Sequence, residues 1–247
     1  MNIYFYHIGY LNTAEQMKMA EKALEDAGWE DRVEASRKFR MEADRKRCLS
    51  AGLALLLALR DLKITDRLRI LKGPDGKPYF ADFPGVHFNL SHSGNYAVCA
   101  VSDHAVGVDI QAPAEVKEAL VRYCCTDAER LLIENSISPS AIFTEIWSWK
   151  EAFVKMTGEG LRISPRKIDV SFAGAADGGP AAEDFLRENP GCGPMNDSLR
   201  YGRLRAKDLS AAVRIRAKGI DVPEMRLYGG RLGDCTICVC RRAASGA

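Results

Sequence analysis

Asn95-Tyr96-Ala97-Val98-Cys99-Ala100-Val101 is an apolar, cysteine-bearing run, and its pattern returns near the other end of the chain as Asp234-Cys235-Thr236-Ile237-Cys238-Val239-Cys240. Alternation and β-forming residues make each a strand. Each closes a strand-helix-strand succession, so the sequence predicts an α+β fold of two related halves, residues 1–105 and 106–247, each a small antiparallel sheet packed with helices.

Working outward from the first run, Val86–Leu90, Tyr96–Ser102 and Val106–Ile110 read as three short strands, with Ser91-His92-Ser93-Gly94-Asn95 as the turn between the first two. Gly73-Pro74-Asp75-Gly76-Lys77-Pro78 is a turn cluster. Further upstream, residues 2–8 predict a strand, and residues 13–27 a helix with Thr13 as N-cap and Gly28 as stop. A second helix is expected from about Ala43 to Leu62, with Leu49, Leu53, Leu56, Leu57 and Leu59 at helical spacing. Arg45, Lys46 and Arg47 fall in its first turns, where each cation opposes the helix dipole by roughly 0.3 kcal/mol or more. An anion held nearby would reverse that sign. Downstream, Ala114 to Gly158 reads as two or three helices broken near Cys125 and Pro139. Residues 173–194, rich in Gly, Ala and Pro, predict an irregular excursion. Strands are expected around 204–206, 211–216, 225–228 and 236–240.

Composition limits the function classes. Of 247 residues, 47% are hydrophobic and 28% charged, and the formal charge is +2, without the strongly basic balance of a dedicated nucleic-acid binder. No apolar run reaches the roughly 20 residues that cross a bilayer, and the first residues lack a secretory pattern, so a cytoplasmic protein with no membrane or nucleic-acid partner is expected. The eight cysteines lack paired zinc-ligand spacing, and Cys235, Cys238 and Cys240 read as small strand hydrophobes.

Three features carry chemistry. In Trp147-Ser148-Trp149-Lys150-Glu151-Ala152-Phe153-Val154-Lys155, helical counting puts Ile142, Ile146, Trp149, Phe153 and Met156 on one stripe. Trp147, Glu151 and Lys155 fall on another, which suits a cleft wall; the plainer reading is a solvated Glu-Lys pair. In Gly107-Val108-Asp109-Ile110-Gln111 an acid interrupts an apolar strand beside a glycine that permits close backbone approach. Asn89-Leu90-Ser91-His92-Ser93-Gly94 offers hydroxyls and an imidazole to phosphate oxygens, and no nucleophile elbow accompanies it. Two carboxylates, a lysine, a histidine and arginines suit Mg²⁺ and a diphosphate, polarised for attack by an external nucleophile. A Walker loop and a Rossmann fingerprint are both missing.

In order and spacing, Gly76-Lys77-Pro78, Asn89 to Ser93, Val106 to Asp109 and Trp147 to Lys155 resemble the phosphopantetheinyl transferase superfamily, specifically its longer, surfactin-synthetase-activating (Sfp) type. The resemblance spans most of residues 43–161. It implies a monomer with coenzyme A in the cleft between the halves, and transfer of its 4′-phosphopantetheine to a serine of an apo acyl, peptidyl or aryl carrier protein. It further implies Mg²⁺ on Asp109 and Glu151, Glu151 assisting serine deprotonation, and Lys155 neutralising the transferring phosphate. His92 and Arg47 would hold the 3′-phosphate, and Lys77, Pro78 and Ser91 would border the nucleotide. Arg32 stands near another family cation, and Glu129 near a further acidic position. Two departures appear: Gln111 stands where this type often has a metal-binding Glu, and the gap from Asp109 to Trp147 is short. A coenzyme A-binding or carrier-docking protein without catalysis is the alternative, distinguished by whether a carrier gains mass.

Overall fold

The computed structural model describes residues 1–172, 201–205, 209, 213–219 and 222–244; the expected excursion at 173–194 lies outside them. A succession of strand, helices and strands occurs twice along the chain. Strand β1 (Asn2–His7) leads through α1 (Ala14–Asp26) and α2 (Glu30–Arg37) to the long helix α3 (Glu42–Asp61). A small hairpin, β2 (Ile70–Lys72) and β3 (Pro78–Phe80), precedes β4 (His87–Ser93) and β5 (Tyr96–Ser102). The second unit starts at β6 (Val106–Gln111) and runs through α4 (Glu118–Cys124), α5 (Asp127–Glu134) and α6 (Pro139–Thr157). After β7 (Ile168–Phe172), β8 (Tyr201–Arg205) and β9 (Val213–Ala217) come β10 (Met225–Leu232) and β11 (Cys235–Arg242).

The two larger sheets have the orders β4-β5-β1-β8 and β10-β11-β6, and β2-β3 and β7-β9 form two-stranded sheets, all antiparallel. Thus the two echoing runs are the central strands β5 and β11, each entered through a two-residue hairpin turn. The first residues of those turns, Gly94 and Gly233, have φ of 52° and 61°, the left-handed geometry that a hairpin of this length demands and glycine supplies without strain.

The inner faces of the two sheets share one core, in which Ile3, Phe5, Val98 and Ala100 meet Val106, Val108, Ile110, Ile237 and Val239. Helix α3 covers the outer face of the first sheet, packing Leu49, Leu55 and Leu59 with Tyr4, Tyr6, Cys99 and Val101. Helix α6 covers the second, where its stripe Ile142, Ile146, Trp149, Phe153 and Met156 is buried with Cys238 and Cys240. Four layers result, helix on sheet on sheet on helix. The expected division near residue 105 falls in the β5–β6 turn, while β8 from beyond it joins the first sheet beside β1.

The helix ends follow local chemistry. Thr13 and Gln16 form a capping box on α1, and Thr126 and Glu129 form one on α5. Pro139 opens α6 and Gly158 ends it in the left-handed conformation. No described helix is long and apolar enough to cross a membrane.

Candidate active site

The site begins with a glycine. An added Cβ at Gly107 would lie 2.1 Å from the Ala152 carbonyl oxygen and 2.3 Å from the Met156 nitrogen, so only glycine lets α6 settle this close on β6. Residues two apart on a strand share a face, and Asp109 therefore points at the same helix. Its carboxylate is buried, with 4% of the residue exposed. Oδ1 accepts from Ser91 Oγ at 2.9 Å and from Lys155 Nζ at 2.6 Å, and Oδ2 accepts from Ser148 Oγ at 2.9 Å. Lys155 Nζ also reaches Ser91 Oγ at 3.1 Å. Glu151, one helical turn before Lys155, is half-buried. Desolvation raises its carboxyl pKa, Lys155 opposes that shift, and the negative charge of Asp109 adds to it. The two acids therefore feel one another across the helix-strand contact.

Glu151 and Lys155 open into a cleft of about 610 Å³, whose walls include Trp147, Tyr123, Lys77, Pro78 and Asn89. Lys77 reaches across it: Nζ donates to the Val106 carbonyl at 3.0 Å and to the Met156 carbonyl at 2.9 Å. This pins the β2–β3 hairpin to the last turn of α6, and burial lowers the ammonium pKa to about 8. To one side lies a basic group. Desolvation lowers the pKa of His92, and the nearby charges of Arg47, Lys155 and Arg32 lower it further. Arg32 donates to the Cys48 carbonyl at 3.1 Å, and Arg47 to the Gly94 carbonyl at 3.0 Å. An oxyanion beside His92 would lie in the field of these cations.

Known proteins resemble this chain in sequence. Residues 105–201 match the 4′-phosphopantetheinyl transferase superfamily. The 4′-phosphopantetheinyl transferase psf-1 of Bacillus pumilus is 30% identical over 165 residues, covering 65% of this chain and 70% of that protein. A 4′-phosphopantetheinyl transferase of Bacillus subtilis is 32% identical over 150 residues, covering 56% of this chain and 67% of its own. The Sfp transferase of Bacillus subtilis strain 168 is 36% identical over 90 residues, 36% of this chain and 40% of that one. The chain belongs to the 4′-phosphopantetheinyl transferase superfamily. It is a transferase of the Sfp type.

In this phosphopantetheinyl transferase Asp109, Glu151, Lys155 and Ser91 come together, with Lys77 and Pro78 on the same cleft. Gln111 follows Asp109 on the same face of β6, two residues on, and pairs in register with Thr236. Several expectations need correction. Ser91 to Ser93 continue the strand and are not turn: Asn89 Oδ1 accepts from Val108 N at 2.9 Å, Ser91 Oγ from Ile110 N at 3.3 Å and Ser93 Oγ from Ala112 N at 3.0 Å. These polar side chains thus serve as a ladder between β4 and β6, the facing edges of the two sheets. Ser91 gives its hydroxyl to Asp109, so its first task is to hold that carboxylate.

Glu129 stands apart from the acids of the cleft. It pairs with Lys150 at 2.6 Å, and the two side chains are only 1% and 2% exposed. Lys150 also donates to the Cys124 and Pro165 carbonyls, and Glu129 accepts from Val170 N. The pair ties α5 and β7 to α6. The cations at the start of α3 also have acidic partners within the protein: Lys46 pairs with Glu42, Arg47 with Asp44 and Arg45 with Glu21. The helix begins at Glu42, so two of those acids stand in its first turn and offset the dipole penalty. Ser148 is the residue that sequence reading passed over. Its spacing from Lys155, seven residues and so two turns, carried the signal.

Proposed function

We propose that this transferase binds coenzyme A along the cleft, with the 3′-phosphate at His92, Arg47 and Arg32, the nucleotide against Lys77 and Pro78, and the diphosphate before Lys155 and Glu151. The acceptor is a serine of an apo acyl, peptidyl or aryl carrier protein. The serine oxygen attacks the phosphorus that bears the pantetheine arm, and the bond from that phosphorus to the bridging oxygen of the diphosphate breaks. Adenosine 3′,5′-bisphosphate leaves with the bridging oxygen. The raised basicity of Glu151 suits it to take the serine proton, directly or through water. Lys155 is placed to meet charge on the transferring phosphoryl group and on the leaving group.

The donor set fits a hard divalent ion. Asp109 and Glu151 offer carboxylate oxygens, and Gln111 an amide oxygen. That matches Mg²⁺, which takes one or two carboxylates and keeps waters and phosphate oxygens. When bound there, it would supply charge neutralisation to the diphosphate.

The observation that carries this reading is the meeting of Asp109 and Lys155, 46 residues apart and 2.6 Å from one another, beside Glu151, which with Lys155 lines the cleft. The test is incubation with coenzyme A, Mg²⁺ and a panel of apo carriers from fatty-acid, polyketide, peptide and siderophore systems, read by intact carrier mass. A phosphopantetheine adduct on serine is expected, lost with chelator and with Asp109→Ala or Glu151→Ala. Tight coenzyme A binding with no carrier gaining mass would overturn it.

A further inference from the structure

The Asp109 carboxylate is crowded. An ionised carboxylate offers about four lone-pair positions, and Ser91, Ser148 and Lys155 direct three donors at this one. These donors differ in kind. Ser91 and Ser148 are buried, neutral hydroxyls whose protons can turn, so they can stay in place while a cation shares the carboxylate. Lys155 brings a full positive charge to Oδ1, at the shortest of the three distances. An ammonium and a divalent ion cannot both sit against the same oxygen without strong repulsion. Lys155 is also the partner able to move. Its side chain is 26% exposed against 6% for Asp109, its stem is long and flexible, and it lines the cleft.

We propose that Lys155 is the internal counter-ion of Asp109, and that it leaves Oδ1 for the cleft when a divalent cation engages Asp109 and Glu151. The inference rests on the reading of those two acids as metal ligands. It gives one lysine two successive partners. While Lys155 holds Asp109, the buried carboxylate stays compensated. Once a cation takes over that role, the ammonium is free to turn to a phosphate in the adjoining cleft. Cation binding and phosphate neutralisation are then coupled by a single side chain, and Lys155 competes with the metal it later works beside. Deleting this cation should therefore strengthen metal binding, the opposite of what a simple phosphate-holding role predicts.

The experiment is Mn²⁺ binding to the full chain without coenzyme A, followed by the electron paramagnetic resonance signal of free Mn²⁺. Circular dichroism and thermal melts establish that each variant is folded. Lys155→Met and Lys155→Gln should both bind Mn²⁺ about tenfold more tightly, since a pair of this burial lies between exposed and fully buried ion pairs. Arg47→Met removes a cation that touches Gly94 and Asp44 instead of Asp109, and should shift affinity by less than about twofold after screening. In the unsubstituted chain, Mg²⁺ alone should move the Lys155 side-chain nitrogen resonance. If Asp109→Asn abolishes Mn²⁺ binding but neither Lys155 variant tightens it, the exchange is wrong and the metal reading stands. Equal tightening in Arg47→Met would show a general field effect and overturn the exchange, as would a Lys155 resonance unmoved by bound Mg²⁺. Unchanged affinity in Asp109→Asn would sink the metal reading itself, and the exchange with it.

Discussion

Gly107→Ala is a one-methyl perturbation aimed at the contact on which the site depends. The new Cβ would stand 2.1 Å from Ala152 O, 2.3 Å from Met156 N and 2.9 Å from the Lys155 carbonyl carbon. All three are helix backbone atoms, and none can rotate away as a side-chain tip can. Favourable non-bonded contacts begin near 3.5 Å, so α6 must withdraw from β6 by more than about 1 Å. The withdrawal acts on the helix that carries Ser148, Glu151 and Lys155, and so on both bonds from α6 to Asp109. Overpacking of this kind lowers stability by about 1–3 kcal/mol, and a shift of about 1 Å between catalytic groups costs on the order of 10²-fold in rate. The assay pairs urea unfolding with kcat/KM for carrier modification by mass, both taken well below the unfolding transition. Gly85→Ala is the control, because nothing lies within 4 Å of an added Cβ there; it should leave both readings unchanged. A Gly107→Ala protein with the original midpoint and rate would refute the claim that this glycine sets the helix-strand distance.

Three further outcomes follow from particular groups. Lys150→Met leaves Glu129 buried without its ion partner and should lower unfolding free energy by about 3–5 kcal/mol, with Glu129→Gln restoring much of it; a loss under about 1 kcal/mol would mean the pair is not structural. Burial pushes the Glu145 carboxyl up from its ordinary 4.5 to about 7. Below about pH 4.5 the folded and unfolded carboxyls are both protonated. Between there and about 7 only the unfolded one ionises, so stability falls as pH rises and the loss is complete above about 7. Urea titrations at pH 5 and 8 should show a drop of about 3 kcal/mol that Glu145→Gln removes; parallel curves for the two proteins would contradict it. Arg47→Ala should weaken coenzyme A more than 3′-dephospho-coenzyme A in calorimetry, and equal weakening would take Arg47 out of the 3′-phosphate site.

Much of this was legible in the chain itself, for reasons that differ by element. Helix α6 announced its buried stripe and its cleft face, because a 19-residue helix repeats each face often enough to be counted. The strands β5 and β11 were legible as an echo. By contrast, α2 buries only Val33 and Ser36 and has no side-chain cap, so it lacks both periodicity and a start signal. Strand β7 is not among the expected strands, although Ile168, Val170 and Phe172 alternate along it. Ser91 to Ser93 resemble a turn because polar residues suit loops, whereas here the partners of Ser91 and Ser93 are main-chain groups in and just after β6, 19 residues further on. Lys150 and Glu151 are neighbours of similar polarity. Only the packing of α6 reveals that one is sealed in an ion pair and the other opens on the cleft.

Why the site lies at one helix-sheet junction and not the other follows from the faces the strands present. In the first unit the outer face of β1 offers Tyr4 and Tyr6 to α3, and that contact is apolar. In the second the equivalent strand β6 offers Gly107, Asp109 and Gln111 to α6. A buried aspartate needs donors, and α6 supplies Ser148 and Lys155. The third donor, Ser91, comes from β4 of the other unit, and the adjoining hairpin brings Lys77. The catalytic face is thus written in the second unit but completed by the first. Residues 106–247 alone would lose Ser91 and the polar ladder. They would also expose Val106, Val108, Ile110, Ile237 and Val239, the apolar side of the shared core. The same contact that buries the core between the sheets therefore sets the distance from β4 to β6, and a change that loosens one must disturb the other.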